Sequence, residues 1–258
     1  MISFKTEEWQ IDNIDTVFFD KDGTFVDLHY FWGKMTELRV KEIIKRYSLN
    51  QDLLFPLCLA LGFDINKQRM LSNGITALYS RVKVIEIFSE DLKKCSINIE
   101  NEEIALIFDY VSKEFYKNIN DYIKPIESAI NLIKELKANN IKLGLITADS
   151  IESTTLTLKR LNLENVFDIV FARESCTDTK ESGLPAKLAL KELNSKPENT
   201  IMIGDTPSDN LCAKNAEIEK TILVATGQMD KKELSKSSKY TVNDLKEISI
   251  LTKASLLN

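Results

Sequence analysis

Glycine, histidine and cysteine are all scarce in this sequence. Only eight of the 258 residues are glycine, well below the usual ~7%, so we expect each glycine where the backbone needs one. The four cysteines, Cys58, Cys95, Cys176 and Cys212, form no C-x-x-C pair. Their spacing predicts reduced thiols in a cytoplasmic protein rather than a disulfide framework. Because His29 is the only histidine, a histidine-based zinc site is not expected.

An excess of basic charge and a long hydrophobic run are also missing. Lys and Arg number 34 against 39 Asp and Glu, a net charge of −5, which argues against a nucleic-acid binder. The N-terminal residues MISFKTEEWQ lack the apolar region of a secretory signal. The longest apolar run, LLFPLCLALGF at 53–63, is shorter than the roughly 20 residues of a membrane helix. We expect a buried helix there and no membrane partner.

Short apolar strands alternate with helices over much of the chain. The predicted strands are IDTVFF (14–19), IKLGLIT (141–147), FDIVFA (167–172), TIMIG (200–204) and TILVAT (221–226). Strands that alternate with helices predict a parallel sheet covered by helices on both faces. The predicted fold class is therefore α/β, with a Rossmann-like core.

A long helical segment separates the first predicted strand from the others. Residues 27–120 carry apolar side chains at three- and four-residue spacing, which is typical of helices. We predict an all-helical domain over 27–120, inserted between core segments 1–26 and 121–258. A G-x-G-x-x-G dinucleotide motif does not follow the first strand, where only Gly23 and then Gly33 occur, so a dinucleotide-dependent oxidoreductase is excluded.

Aspartates follow two of the predicted strands. Asp20 and Asp22 lie in DKDGT, and Asp205 and Asp209 lie in GDTPSDN. Open parallel sheets bind ligands outside the carboxyl ends of their strands, so we expect these carboxylates to meet at one edge. One carboxylate of the first pair can act as a nucleophile while the other acts as general acid and base. Clustered carboxylate oxygens are also suitable ligands for Mg²⁺.

Phosphate-binding groups are predicted at the end of another strand. Thr147 ends IKLGLIT, so its hydroxyl and the backbone N–H groups beyond it, beginning with Ala148, can hold phosphate oxygens. A lysine is needed to balance the negative charge of a transferred group. The candidates before the next core strand are Lys180 and Lys187.

Together, FFDKDGT, LGLIT, a lysine-containing region and IGDTPSDN resemble the four motifs of the haloacid dehalogenase superfamily, in the expected order. The resemblance covers the core and not the inserted segment. The insertion between the first two motifs is similar in position to the helical cap of the branch that includes phosphoglycolate phosphatases. A cap over the site would favour small phosphorylated metabolites as substrates.

The resemblance implies a role for each motif residue. Asp20 would be the nucleophile that forms an aspartyl-phosphate, and Asp22 the general acid and base. Asp20, the backbone carbonyl of Asp22, and Asp205 would bind Mg²⁺, with Asp209 assisting. Thr147 would bind the phosphate.

The third motif departs from the family pattern. Many relatives have K-P-x-P, and alignment of Pro185 with its last proline puts Ser182 at the lysine position. An ungapped count back from the fourth motif favours Lys180, whereas Lys187 would enter from the first turn of a helix. Both lysines remain candidates.

The presence of Asp22 favours phosphate-ester chemistry, because a carboxylic acid can protonate an alkoxide leaving group. The expected function is that of a Mg²⁺-dependent phosphatase acting on a small phosphate monoester. The alternatives are a phosphomutase and a non-catalytic protein that binds a phosphorylated ligand. Lys21, between the two aspartates, is expected to be exposed. Four arginines of the inserted segment could bind a second anion of the substrate or lie on polar helix faces: Arg39, Arg46, Arg69 and Arg81.

Overall fold

A computed structural model describes residues 1–252 and divides the chain into two units. One unit contains Met1–Asp27 and the chain from Pro125 onward, and the other contains Leu28–Lys124. These boundaries lie beside the predicted 26/27 and 120/121. The action of the second unit as a cap remains a prediction.

The strands of the described chain are β1 (Ile2–Lys5), β2 (Gln10–Ile14), β3 (Thr16–Phe19), β4 (Phe63–Asp64), β5 (Arg69–Met70), β6 (Lys142–Ile146), β7 (Ile169–Phe171), β8 (Thr200–Gly204), β9 (Thr221–Val224), β10 (Tyr240–Val242) and β11 (Ser249–Thr252). The α-helices are α1 (Leu28–Arg46), α2 (Leu54–Ala60), α3 (Ile75–Leu78), α4 (Arg81–Lys94), α5 (Asn101–Lys117), α6 (Glu127–Ala138), α7 (Ile151–Arg160), α8 (Leu184–Glu192), α9 (Pro207–Asn215) and α10 (Lys231–Leu234).

A parallel sheet forms the centre of the first unit, and its strand order is β10-β9-β8-β3-β6-β7. The predicted Rossmann-like α/β fold is therefore confirmed. Every residue of β3 and β8 is buried, because helices cover both faces of an all-parallel sheet. Phe18, Ile146 and Met202 pack in one apolar core with the small residues of α8 and α9.

The first strand is shorter than predicted. Ile14 ends β2, and β3 begins only at Thr16. Asn13 has a φ of 61° and lies where the register between β1 and β2 shifts. This left-handed residue belongs to an antiparallel sheet of order β11-β1-β2, whose short, partly polar strands carry too weak an alternation to be found from sequence.

The second unit is mainly helical, and its helices follow the predicted apolar spacing. It also contains a short antiparallel ladder of β4 and β5, which the expectation of an all-helical insertion did not include. The turn between these strands forms because Asp64 Oδ1 accepts hydrogen bonds from the N–H groups of Asn66 and Lys67, both at 3.1 Å.

The apolar run at 53–63 contains helix α2, but this helix is only partly buried. Leu57 and Cys58 are buried, whereas Phe55 and Leu59 are exposed. Within residues 1–252, no helix combines the length and the hydropathy needed to cross a membrane.

Candidate active site

The register of the central sheet brings the predicted site residues to one edge. Phe19, the last residue of β3, lies opposite Leu145 of β6 and Ile203 of β8. The loops that begin with Asp20, Thr147 and Asp205 therefore start at nearly the same level. Because all three strands are parallel, their carboxyl ends meet at this edge, as the sequence predicted.

Lys180 joins two of the acidic side chains. Its Nζ lies 2.5 Å from Oδ1 of Asp20 and 2.5 Å from Oδ1 of Asp209. All three residues are buried. Although burial disfavours the ammonium, the two carboxylates raise the pKa of Lys180 above its ordinary value. The lysine is therefore a permanent positive charge beside the candidate nucleophile.

The loop that carries Lys180 is fastened to α9. Lys180–Ser182 forms a single 3₁₀ turn, and Ser208 Oγ donates to Oε1 of Glu181 at 2.6 Å. Asn215 Nδ2 donates to the carbonyl oxygen of Glu181 at 2.7 Å. These contacts hold the turn in place and direct the preceding lysine toward the sheet edge.

Lys187 lies outside this cluster. Its side chain is exposed on α8, and within the described chain it has no ion pair. The two lysines differ because Lys180 precedes the turn at Gly183, whereas Lys187 follows it on the exposed side of α8. Of the two candidates that the sequence left open, the structure brings Lys180 alone to Asp20.

Asp209 is fixed by the start of α9. Its Oδ2 accepts hydrogen bonds from the N–H of Asp205 at 3.1 Å and from the N–H and hydroxyl of Thr206, both at 2.9 Å. This is a capping arrangement in which Asp209 occupies the third helical position. These hydrogen bonds explain how the carboxylate of Asp209 is tolerated although it is nearly fully buried.

Three carboxylates form a group that fits a cation. One oxygen each from Asp20, Asp205 and Asp209 lies within 4.8 Å of the other two. Oδ2 of Asp205 is buried and has no hydrogen-bond partner among the described residues. An orphaned carboxylate oxygen is costly in a protein interior, and a hard cation such as Mg²⁺ would satisfy it. Asp22 is not part of this side-chain group; binding through its backbone carbonyl remains a prediction.

Two glycines leave room for the Asp205 carboxylate. A Cβ on Gly23, whose φ is +80°, would lie 2.6 Å from Cγ of Asp205, and a Cβ on Gly227 would lie 2.7 Å from the same atom. Any side chain at either position would therefore displace the carboxylate. Gly227 follows β9, and neighbouring Thr226 donates from Oγ1 to the carbonyl oxygen of Gly23 at 2.6 Å.

The acidic cluster raises the proton affinity of its own members. Burial, together with the neighbouring Asp209 and Asp22, raises the pKa of Asp20 to about 7 despite Lys180. Burial and the same kind of repulsion, here mainly from Asp20, raise the pKa of Asp205 well above its usual range. A bound divalent cation would offset this repulsion and favour the ionised carboxylates.

A cavity of about 200 Å³ lies beside Lys180 and is lined in part by Thr147 and Ala148. The hydroxyl of Thr147 accepts a hydrogen bond from the N–H of Asp149 at 3.2 Å, so this loop curls back on itself. Small polar groups and a cation along a cavity of this size can hold a phosphate.

Lys21 is fully buried, contrary to the expectation that it is exposed. Its Nζ lies 2.7 Å from Oδ1 of Asp22 and 2.8 Å from Oδ2 of Asp149. Although burial disfavours the ionised forms, this pairing raises the pKa of Lys21 and lowers that of Asp149. The two carboxylates balance a charge that burial would otherwise leave uncompensated.

Sequence reasoning missed Asp149, Thr226 and Gly227. Asp149 stands two residues beyond a predicted strand end, and that position was a usable signal. Thr226 ends TILVAT and Gly227 follows it, and the scarcity of glycine could have indicated a close backbone approach there. The contact of Thr226 with Gly23 connects residues 203 positions apart, and the close approach of Gly227 to Asp205 joins two separate loops, so no local pattern reveals either one.

These features define an α/β protein with a buried centre of aspartates and lysine at the carboxyl edge of a parallel sheet. The family model for haloacid dehalogenase-like hydrolases matches residues 67–224, more than half of the chain. The chain therefore belongs to this family. The DKDGT segment lies ahead of the matched range, and its place in the site rests on the structure.

Individual relatives are distant. Pyrophosphatase PpaX of Bacillus mycoides (strain KBAB4) is 24% identical over 212 residues, which cover 82% of this chain and 84% of the relative. A Thermotoga maritima protein assigned as a β-phosphoglucomutase has a similar fold, with a TM-score of 0.67 and 21% identity over 91% of this chain and 96% of that chain. A predicted phosphoglycolate phosphatase of Haemophilus somnus 129PT has a TM-score of 0.68 and 14% identity over the same shares. Such likenesses establish the fold.

Proposed function

We propose that this protein is a Mg²⁺-dependent phosphatase that hydrolyses a small phosphate ester through a phosphorylated Asp20. The observation that carries the proposal is the contact between Asp20 and Lys180 beside the unsatisfied carboxylate of Asp205. A nucleophile, a fixed positive charge and a cation-binding group within one buried cluster are the parts that phosphoryl transfer needs.

The first chemical step would use Asp20 and Asp22. A carboxylate oxygen of Asp20 attacks the phosphorus atom, and the bond from phosphorus to the leaving oxygen breaks. Asp22 gives its proton to that oxygen. Lys180, 2.5 Å from Asp20 Oδ1, offsets the negative charge that gathers around the transferred group.

The second step would return the enzyme to its starting state. Asp22, now a carboxylate, takes a proton from a water molecule, whose oxygen attacks the phosphorus of phosphorylated Asp20. The bond between Asp20 and phosphorus breaks, and inorganic phosphate leaves. Asp20, Asp205 and Asp209 would hold Mg²⁺, which when bound supplies positive charge that screens the carboxylates from the incoming anion.

The family and the relatives support a proposal for the substrate class. We propose a small phosphorylated metabolite as the partner. Because a curated relative is named a pyrophosphatase, inorganic pyrophosphate belongs in the substrate panel. Four free thiols, including the buried Cys58 and Cys212, support the proposal that the protein works in the reducing cytoplasm.

A phosphomutase is the second candidate, because a protein of similar fold is assigned as a β-phosphoglucomutase. The chemistry differs only in the acceptor. In a mutase, the phosphoryl group on Asp20 would pass to a hydroxyl of a bound sugar phosphate rather than to water.

The test measures phosphate release from p-nitrophenyl phosphate, inorganic pyrophosphate and small sugar phosphates, with Mg²⁺ or with a chelator. Wild type is compared with Asp20→Asn and with Asp168→Asn, a control whose carboxylate pairs with Lys137 away from the site. Metal-dependent release that persists in Asp168→Asn and is lost in folded Asp20→Asn supports the proposal. No release from any compound overturns it, and isomerised sugar phosphate without free phosphate favours the mutase.

A further inference from the structure

The proposed mechanism leaves the buried ammonium of Lys21 unused. Its side chain has 0% exposure, and its two partners are also largely enclosed, at 15% for Asp22 and 6% for Asp149. A lysine is rarely fully buried unless its charge is paired. Its pairing with Asp22 connects this charge to a residue of the proposed mechanism.

The loop is folded so that Lys21 faces its own neighbour. Adjacent side chains of an extended strand point to opposite faces, so a lysine there would not contact the next residue. Here the carbonyl oxygen of Lys21 accepts hydrogen bonds from the N–H groups of Thr24, Phe25 and Val26 at 3.3, 3.1 and 3.1 Å. The tight turn that results places Nζ of Lys21 2.7 Å from Oδ1 of Asp22.

Asp149 is a fixed partner for the same ammonium. Its Oδ1 accepts from the N–H of Ser150 at 2.7 Å, and its carbonyl oxygen accepts from the N–H of Arg173 at 2.9 Å. Its own N–H donates to Thr147 Oγ1. With Oδ2 of this anchored carboxylate 2.8 Å from Nζ, Lys21 has little freedom to move.

We propose that Lys21, anchored by Asp149, is a positioning residue that holds the carboxyl group of Asp22 in place for proton transfer. The proposal rests on the role of Asp22 in the proposed function. A carboxyl group must lie within hydrogen-bond reach of the leaving oxygen to act as general acid, and an error of about 1 Å can lower a rate about 100-fold. Replacement of Lys21 or Asp149 would leave Asp22 in the chain but would no longer hold its carboxyl group in this position.

The experiment compares the first turnover of phenyl phosphate with that of 2,4-dinitrophenyl phosphate, followed by release of the phenol. This rate reports formation of the phosphorylated enzyme and is independent of its later hydrolysis. The phenyl ester needs its leaving oxygen protonated, whereas dinitrophenolate leaves without a proton. The variants are Asp149→Asn, Lys21→Met and Lys21→Arg, with Lys137→Met as a control that removes an exposed ion pair.

We expect Asp149→Asn and Lys21→Met to slow the phenyl ester at least about tenfold, within the range that general acid catalysis contributes. The dinitrophenyl ester should change much less, the ester concentration that gives half of the maximal first-turnover rate should stay near the wild-type value, and Lys21→Arg should restore part of the lost rate. If Lys21→Met fails to fold, Asp149→Asn decides the matter, because it keeps the buried ammonium balanced by Asp22 and removes only the charged carboxylate that fixes this ammonium in place.

Equal losses on the two esters, or no loss in folded Asp149→Asn, would overturn this inference and leave the proposed function standing. A wild-type protein that releases neither phenol here, and no phosphate from the substrate panel of the proposed function, would overturn both. The unequal response is the diagnostic result, because a merely structural ion pair would affect stability and not the dependence on the leaving group.

Discussion

The Nζ atom of Lys180 lies 2.5 Å from Oδ1 of Asp20, although 160 positions separate the two residues in the sequence. The contact is buried on both sides. It joins the loop after the first core strand to the 3₁₀ turn before α8. This pairing gives the candidate nucleophile a counter-ion that its own loop does not supply, so the proposed catalysis and the stability of the core depend on the same contact.

Replacement of that lysine should affect both properties. We expect Lys180→Met to lower kcat/KM at least about 100-fold, the scale on which loss of one electrostatic stabiliser acts. Unfolding free energy should fall by about 3–5 kcal/mol at neutral pH, because Asp20 and Asp209 would lose a buried partner. Steady-state kinetics and chemical denaturation measure the two effects.

Lys187→Met is the matched control for this prediction. Lys187 has the same charge and lies seven positions further along, but its side chain is exposed. Its loss should change activity and stability little. A large drop in activity for Lys187→Met, or none for Lys180→Met, would reverse the assignment of the two lysines.

In the presence of a chelator, the raised pKa of Asp20 predicts an unusual dependence of the unfolding free energy on pH. Because the pKa rises from 3.8 in the unfolded reference to about 7 in the fold, the folded state holds the proton more tightly. The contribution of this group to stability is present below about pH 4 and is lost as the pH rises through about 7.

The asparagine in Asp20→Asn cannot titrate, so this variant should not lose stability in this way as the pH rises. In chelator, we expect its unfolding free energy to exceed that of wild type at about pH 8 and the difference to vanish near pH 4. Urea denaturation at several pH values measures it. At pH 8, Mg²⁺ should reduce the difference in unfolding free energy between Asp20→Asn and wild type, because a bound cation favours the carboxylate of wild type. A variant that is less stable than wild type across the whole range would contradict the raised pKa.

Much of this site could be predicted from the sequence because its residues directly follow strands of the sheet. Asp20, Thr147 and Asp205 each follow a short apolar strand, and a parallel sheet must bring such positions to one edge. The sequence could not decide between Lys180 and Lys187, because the position of Lys180 depends on a turn. Gly183 and the contacts to α9 determine the direction of that turn. Burial of Lys21 was missed for a similar reason, since pairing with Asp149 depends on how two loops fold.

Divalent metal should stabilise the protein through Asp205. We expect Mg²⁺ to raise the melting temperature of wild type, and Asp205→Asn to abolish most of that increase, because binding to the folded state adds stability by mass action. Thermal denaturation over a range of Mg²⁺ concentrations measures the shift. Asp168→Asn, which alters a carboxylate elsewhere in the same unit, should respond like wild type. An unchanged Mg²⁺ response in Asp205→Asn would remove this carboxylate from the metal site.

The space around Asp205 gives a test that leaves every carboxylate intact. In Gly227→Ala, the new Cβ would lie 2.7 Å from Cγ of Asp205 and closer still to Oδ2, so the carboxylate must move. We expect Mg²⁺ affinity, measured by calorimetry, to fall at least about tenfold, as when a group that orients a ligand is disturbed.

Gly144→Ala is the matched control, because its Cβ would meet the ring of Phe18 at 2.6 Å in the apolar core. That variant should lose stability through overpacking while it keeps its Mg²⁺ affinity. Equal losses of affinity in the two variants would indicate a general disturbance of the fold and would contradict a specific fit between Gly227 and Asp205.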